Sequence, residues 1–163
     1  MPDYPSEFLR GISSASDCSI EGVAEASLFN RFDKADRADG FEEMSITWND
    51  NDEAVRIISF QKKAGEIHFK IGLAVLLRSQ IDLARRDPFY DKILKYERKP
   101  SESNPYHGNI LIDSKASKSA KRRVASFLAV GARVIPRNKN WEEQPLTSAD
   151  IKAVFPNVDT LNK

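Results

Sequence analysis

Residues 92–139 read KILKYERKP, SESNPYHGNILI and DSKASKSAKRRVASFLAVGARVIPRNK, and the order of these pieces decides what fold the chain can adopt. The first piece alternates as a strand does, with Ile93, Lys95, Glu97 and Lys99 on one side and Leu94, Tyr96 and Arg98 on the other. Neither side is cleanly apolar. Charges on both faces suit a sheet edge, where they discourage pairing with other chains. Beyond a polar turn, 109–112 is the expected partner strand. Ala120, Val124, Phe127 and Leu128 then recur at helical spacing over Ser114 to Val130, and Gly131 is expected to end that helix as a C′ glycine. Arg133 to Pro136 returns as a strand that closes the sheet. Strand, returning strand, helix and strand imply an α+β fold.

Upstream, Met1 to Gly11 holds two prolines and is expected to run extended over the surface with Phe8 and Leu9 turned inward. Ile20, Val23, Ala24, Leu28, Phe29 and Phe32 fit one helix over 19–32, capped by Ser19 or Asp17. Cys18 would sit at its start, as a small half-buried residue in preference to an activated thiol. Met44, Ile46 and Trp48 alternate as a strand over 43–48. Asp52 is the expected cap of a helix over 53–63, with Val55, Ile57 and Ile58 inward; a strand using Val55, Ile57 and Ser59 is the alternative. Ile67, Phe69 and Ile71 lead as a strand into the apolar run ending at Leu77, whose type over 72–80 periodicity alone does not decide. A short helix over 79–86 is expected to stop at Pro88.

The architecture expected is a single α+β domain over 1–140: a mostly antiparallel sheet of four to five strands packed with two longer helices, one near each end. Residues 141–163 form a tail with a short helix capped by Thr147 or Ser148. Its Ile151, Val154 and Phe155 share one face and are expected to dock on the domain, because an uncovered face of that kind is a liability.

The chain has 163 residues, 40% hydrophobic and 30% charged, an ordinary globular composition. Its net charge of +1 hides an asymmetry. Residues 1–54 carry 13 acids and 4 bases, whereas 55–163 carry 21 bases and 11 acids. One cysteine excludes an internal disulfide, and with only two histidines, His68 and His107, it excludes a zinc finger. The opening MPDYPSEFLRG lacks the basic and apolar regions of a secretory signal, and the longest apolar run falls far short of the ~20 residues that span a bilayer. The expectation is a cytoplasmic protein with no membrane contact, cofactor or resident metal.

Three stretches hold chemistry. Glu97-Arg98-Lys99 has the E-x-K form of metal-dependent nucleases, in which the acid binds Mg²⁺ and the lysine positions water; edge-strand charge explains the same triplet. Asn104 to Asn109 places His107 beside Gly108, where it could act as a base or bind phosphate. The structural alternative is a turn that His107 holds by bonding the backbone. The carboxylates of 33–43 fail as a calcium loop, because Gly40 would put Ala35 and Arg37 at acid-ligand positions.

The strongest electrostatic signal is the acid-free run with Lys115, Lys118, Lys121, Arg122, Arg123, Arg133, Arg137 and Lys139. On a helix, Lys115, Lys118 and Arg122 share a face opposite Val124 and Phe127, free to meet an anionic partner while the helix packs. The expected function is a small non-catalytic accessory protein that contacts a protein partner through this basic helix. The alternatives are a metal-dependent nuclease or phosphodiesterase centred on Glu97, Lys99 and His107, and sequence-tolerant nucleic-acid binding. If the acidic first third neutralised these cations, the contact surface would vanish.

Overall fold

In the computed structural model, which describes residues 4–19 and 21–156, one antiparallel sheet carries the fold. Along the chain come β1 (Glu7–Ile12), β2 (Phe41–Trp48), α1 (Asp52–Ser59), the short β3 (Lys62–Lys63) and β4 (Glu66–Ile67), and β5 (Gly72–Leu77). They are followed by α2 (Arg78–Ala84), α3 (Pro88–Ile93), β6 (Leu94–Arg98), β7 (His107–Asp113), α4 (Lys118–Gly131), β8 (Arg133–Pro136) and α5 (Ser148–Ala153). The sheet order is β6-β7-β2-β1-β5-β8, with β3 and β4 paired separately. The charged β6 is an edge strand paired to β7, and β8 forms the other edge against β5.

The sheet has six strands where four to five were expected, and β1 is the main addition. Glu7–Ile12 lies in its centre and does not alternate, because both faces are covered. Phe8 and Ile12 enter one core cluster and Leu9 the other. Gly11 is a point of close approach: a Cβ there would clash with the Phe69 ring. The apolar run of β5 divides in the same way, with Ala74 and Leu76 on one side and Leu73 and Val75 on the other.

The larger core lies between the sheet and α4. Ser117 caps that helix by accepting from the Ala120 amide at 3.0 Å. Ala120, Val124, Ala125 and Leu128 then pack over Phe8, Met44, Ile46, Trp48, Ile110 and Ile112. Each fully buried Leu, Ile or Phe of this kind contributes ~1.5–3 kcal/mol. The smaller core, on the opposite face, joins Val55 and Ile58 of α1 and Ile151 of α5 to Leu9, Leu73, Val75 and Trp141.

The helix expected over 19–32 is absent. Two 3₁₀ turns, Ala15–Asp17 and Ala26–Phe29, take its place, tied by a bridge between Cys18 and Ala24. Gly22 interrupts the segment at φ +79°, and the Ser19 hydroxyl accepts from Val23 N, an alternative to the helical ladder. Asp17 is fully buried and holds Arg31 at 2.7 Å and the Ser27 hydroxyl at 2.8 Å, pinning the turns to the body. Leu28 and Phe29 are core residues, Val23 is exposed, and Ile20 lies outside the described residues. Among the described residues α4, with 14 residues, is the longest helix, and the long helix expected near the start of the chain is replaced by the two turns.

Local punctuation also departs from expectation. Asn51 caps α1 in place of Asp52, and the helix ends at Ser59 because Lys62 to Ile67 form a hairpin with Ala64 and Gly65 at positive φ. Pro88 starts α3 at its first turn, with Asp87 as the cap, where a missing N–H costs nothing. Gly131 is the last residue of α4 and not a left-handed C′. Its bare backbone admits the Gln80 amide, which donates to the Phe127 carbonyl at 2.8 Å.

Candidate functional site

On the face that carries α1, β2, β7 and β6 present Glu43, Asn109 and Glu97. Arg37, from the turn before β2, packs over them. Its Nη1 lies 2.9 Å from Glu43 Oε2 and 2.5 Å from Glu97 Oε1, and its Nη2 lies 2.6 Å from Asp39 Oδ2. The Asn109 amide donates to Glu43 at 3.2 Å and Glu97 at 3.0 Å. Lys99 Nζ reaches Glu43 at 3.3 Å.

Burial works against charge on Glu97, but hydrogen bonds from Arg37 and Asn109 outweigh it and hold the carboxyl below its ordinary range. The same contacts, led by Asp39, raise Arg37 above the ordinary arginine value. Asp39 is lowered to about 2, chiefly by its bond to Arg37.

The structure therefore joins Glu97 and Lys99 through Glu43, and it leaves His107 out. The His107 Nδ1 donates to the Lys99 carbonyl at 2.9 Å, closing the 99–107 turn. Arg37 stands between Glu43 and Glu97, where a shared cation would stand, and engages an oxygen of each. Among the described residues no three of His, Cys, Asp and Glu are grouped to hold a metal ion. The arrangement is an ion-pair network that fastens the 33–40 turn over the sheet. Arg37 and Glu43 escaped sequence reading because each lies far from Glu97 in the chain, and Asn109 was read with His107 as part of the turn instead of with Glu97. The one trace is the alternation that puts Glu43 opposite Met44 on β2.

The basic residues separate into engaged and exposed groups. Lys121 is engaged: its Nζ lies 2.5 Å from Glu42 Oε2 at the α4–sheet boundary. Arg137 is engaged as well, and it is a strut of the smaller core. It donates to the Ser59 carbonyl and, at 3.2 Å, to the Phe69 carbonyl, with its guanidinium 4.6 Å from the Trp141 ring. Burial lowers its pKa. Arg133 bonds the Ala132 carbonyl and lies over Phe155.

Lys115, Lys118, Arg122, Arg123 and Lys139 are exposed and make no ion pair among the described residues. Carboxylates of the first third are instead engaged by Arg31, Arg37, Arg98, Lys99 and Lys121. Of the expected contact surface on α4, only Lys121 is neutralised from that side.

In the tail, Ile151 is fully buried and Val154 and Phe155 pack at the edge of the same cluster. Thr147 and Asp150 form a reciprocal capping box, and the Ser148 amide donates to Asp52 at 2.8 Å. Residues 157–163 of the tail lie outside the described residues. The Cys18 pKa is raised by burial and by Glu25, which opposes thiolate formation. His68 packs its ring on Phe69 at 4.3 Å.

Among the described residues no helix is long and apolar enough to cross a membrane. Compared with protein-family models, with curated proteins and with solved structures, the chain matches none.

Proposed function

We propose that this chain is a non-catalytic interaction component of a larger cytoplasmic assembly, which meets an acidic protein partner through the exposed cations of α4. The observation that carries this reading is the contrast along one helix. Lys121 is matched by Glu42, whereas Lys118, Arg122 and Arg123 have no carboxylate among the described residues. Cations left on a rigid, well-packed helix raise the rate and selectivity of encounter with a negatively charged partner.

Binding of a labelled polyglutamate, followed by fluorescence anisotropy at about 50 and 250 mM salt, tests it. Lys118→Glu/Arg122→Glu is expected to weaken binding at least about tenfold at low salt, with the fold intact by circular dichroism. Equal binding by wild type and variant overturns the reading. Single-stranded DNA or RNA that binds where polyglutamate does not favours the nucleic-acid alternative.

The enzymatic alternative has its own arm. Convergence of Glu97 and Lys99 on Glu43 favours it; the Arg37 guanidinium between the carboxylates and the turning of His107 to the backbone count against it. A large rise in Tm with Mg²⁺ or Mn²⁺ that Glu97→Ala abolishes would replace the interaction reading with a metal-dependent one.

A further inference from the structure

Beside the basic face, α2, α3 and α4 enclose a groove of about 360 Å³. Its walls are Leu83, Tyr90, Val124 and Phe127, and Leu94 forms part of its floor. Three of the four large hydrophobic residues exposed among the described ones lie on these same helices: Leu83 at 53%, Phe89 at 50% and Val130 at 81%. Phe89 stacks edge-on against Tyr90 at 5.1 Å, and Val130 follows one turn after Phe127. Apolar residues concentrated around one groove mark an interaction surface more than scattered ones do.

The charges around it have one sign to spare. Arg123 lines the groove, and Arg122 beside it and Arg86 between α2 and α3 have no carboxylate partner among the described residues. Of the acids there, Asp87 also lines the groove and caps α3 through the Phe89 amide, and Asp91 pairs with Arg85 at 3.0 Å, so the unpaired arginines outnumber the one unpaired carboxylate.

Resting on the interaction reading above, we infer that this groove receives an amphipathic helix of the partner, with apolar residues at 3–4 spacing on one face and Asp or Glu on its flanks. A trough walled by helices takes another helix by the interlocking of side-chain ridges, and its surplus of arginine selects acidic flanks. A second copy of this chain is a poor occupant. The acid-led helices α1 and α5 already bury their apolar residues Val55, Ile58 and Ile151 at home.

Selection of a displayed random-peptide library, roughly 16 residues long, on the whole chain tests the inference, with Leu83→Asp/Val130→Asp protein as counter-target. Sedimentation velocity of the free chain accompanies it. The expected result is enriched peptides with helical apolar spacing and acidic flanks that bind the variant at least about tenfold more weakly. Acidic peptides without that spacing, bound equally by the variant, overturn the groove and leave the basic reading standing. Peptides without acidic residues, or no enrichment, overturn both. A dimer dissociated by the variant also overturns the inference, because it makes the groove a self-interface. Should the double variant melt early, Val130→Asp alone replaces it.

Discussion

Arg37 and Glu97 meet through two bonds, Nη1 to Oε1 at 2.5 Å and Nη2 to Oε2 at 3.3 Å. This fork joins the turn before β2 to the edge strand β6, and Glu43 and Asp39 share the same guanidinium. Removing the guanidinium leaves Glu43 on β2 and Glu97 on β6 facing each other across β7, with the Asn109 amide between them.

Arg37→Ala is therefore expected to destabilise the fold by about 1–3 kcal/mol at neutral pH, and the loss to shrink in acid. The folded-state pKa values of Glu97 and Asp39 are depressed, so their contribution is present above the unfolded values, near 4.5 and 3.8, and lost as pH falls through the folded ones, about 2 for Asp39. Thermal melts of both proteins between pH 7 and pH 2, with converging Tm values at the acid end, check this.

Lys121 and Arg122 are neighbours with opposite expectations. Lys121→Ala strands Glu42, which is nearly buried at the α4 boundary, and is expected to cost about 1–3 kcal/mol. Arg122→Ala touches nothing inside and is expected to stay within about 0.5 kcal/mol of wild type. Urea unfolding of the two variants separates them.

Gly108→Ala is expected to cost about 1–3 kcal/mol by overpacking. The new Cβ would meet the Glu97 carbonyl and the Trp48 indole nitrogen, which bond each other at 3.2 Å. A loss of near-ultraviolet circular dichroism from Trp48 should accompany the lower Tm.

Ala64 sits at φ +54° in the turn between β3 and β4, with Gly65 beside it at φ +82°. Ala64→Gly relieves the left-handed strain and is expected to raise stability by up to about 1 kcal/mol, less the added freedom of the unfolded chain. Differential scanning calorimetry measures the gain; a lower Tm would contradict it.

The parts of the fold that were legible in sequence share one property: their pattern is local. The charged alternation of β6 announced an edge strand, Met44, Ile46 and Trp48 announced β2, and the apolar spacing of Ala120, Val124 and Leu128 announced the helix, though not the cap Ser117 that starts it. β1 was illegible because Phe8 and Leu9 face different cores, which erases alternation. The first helix misled because Leu28 and Phe29 share spacing with Val23 and Ala24 while Gly22 and the buried Asp17 break the segment into turns. Glu97 and Lys99 stood out as a triplet, but the guanidinium that engages Glu97 comes from a turn sixty positions earlier. The uncompensated Arg122 and Arg123 were visible as charge; their setting beside an apolar trough depends on α2 and α3 arriving alongside.

The placement of Glu7–Ile12 between β2 and β5 has a consequence for how the molecule assembles itself. This strand is the seam of the two half-sheets, yet its second neighbour is complete only at Leu77 and the far edge only at Pro136. Four of the five pairings in the six-stranded sheet join distant sequence, which is the contact pattern of chains that fold in milliseconds to seconds, behind helical bundles of like size. A truncation that removes Phe8 and Leu9 would leave two unjoined ribbons, each with an open edge.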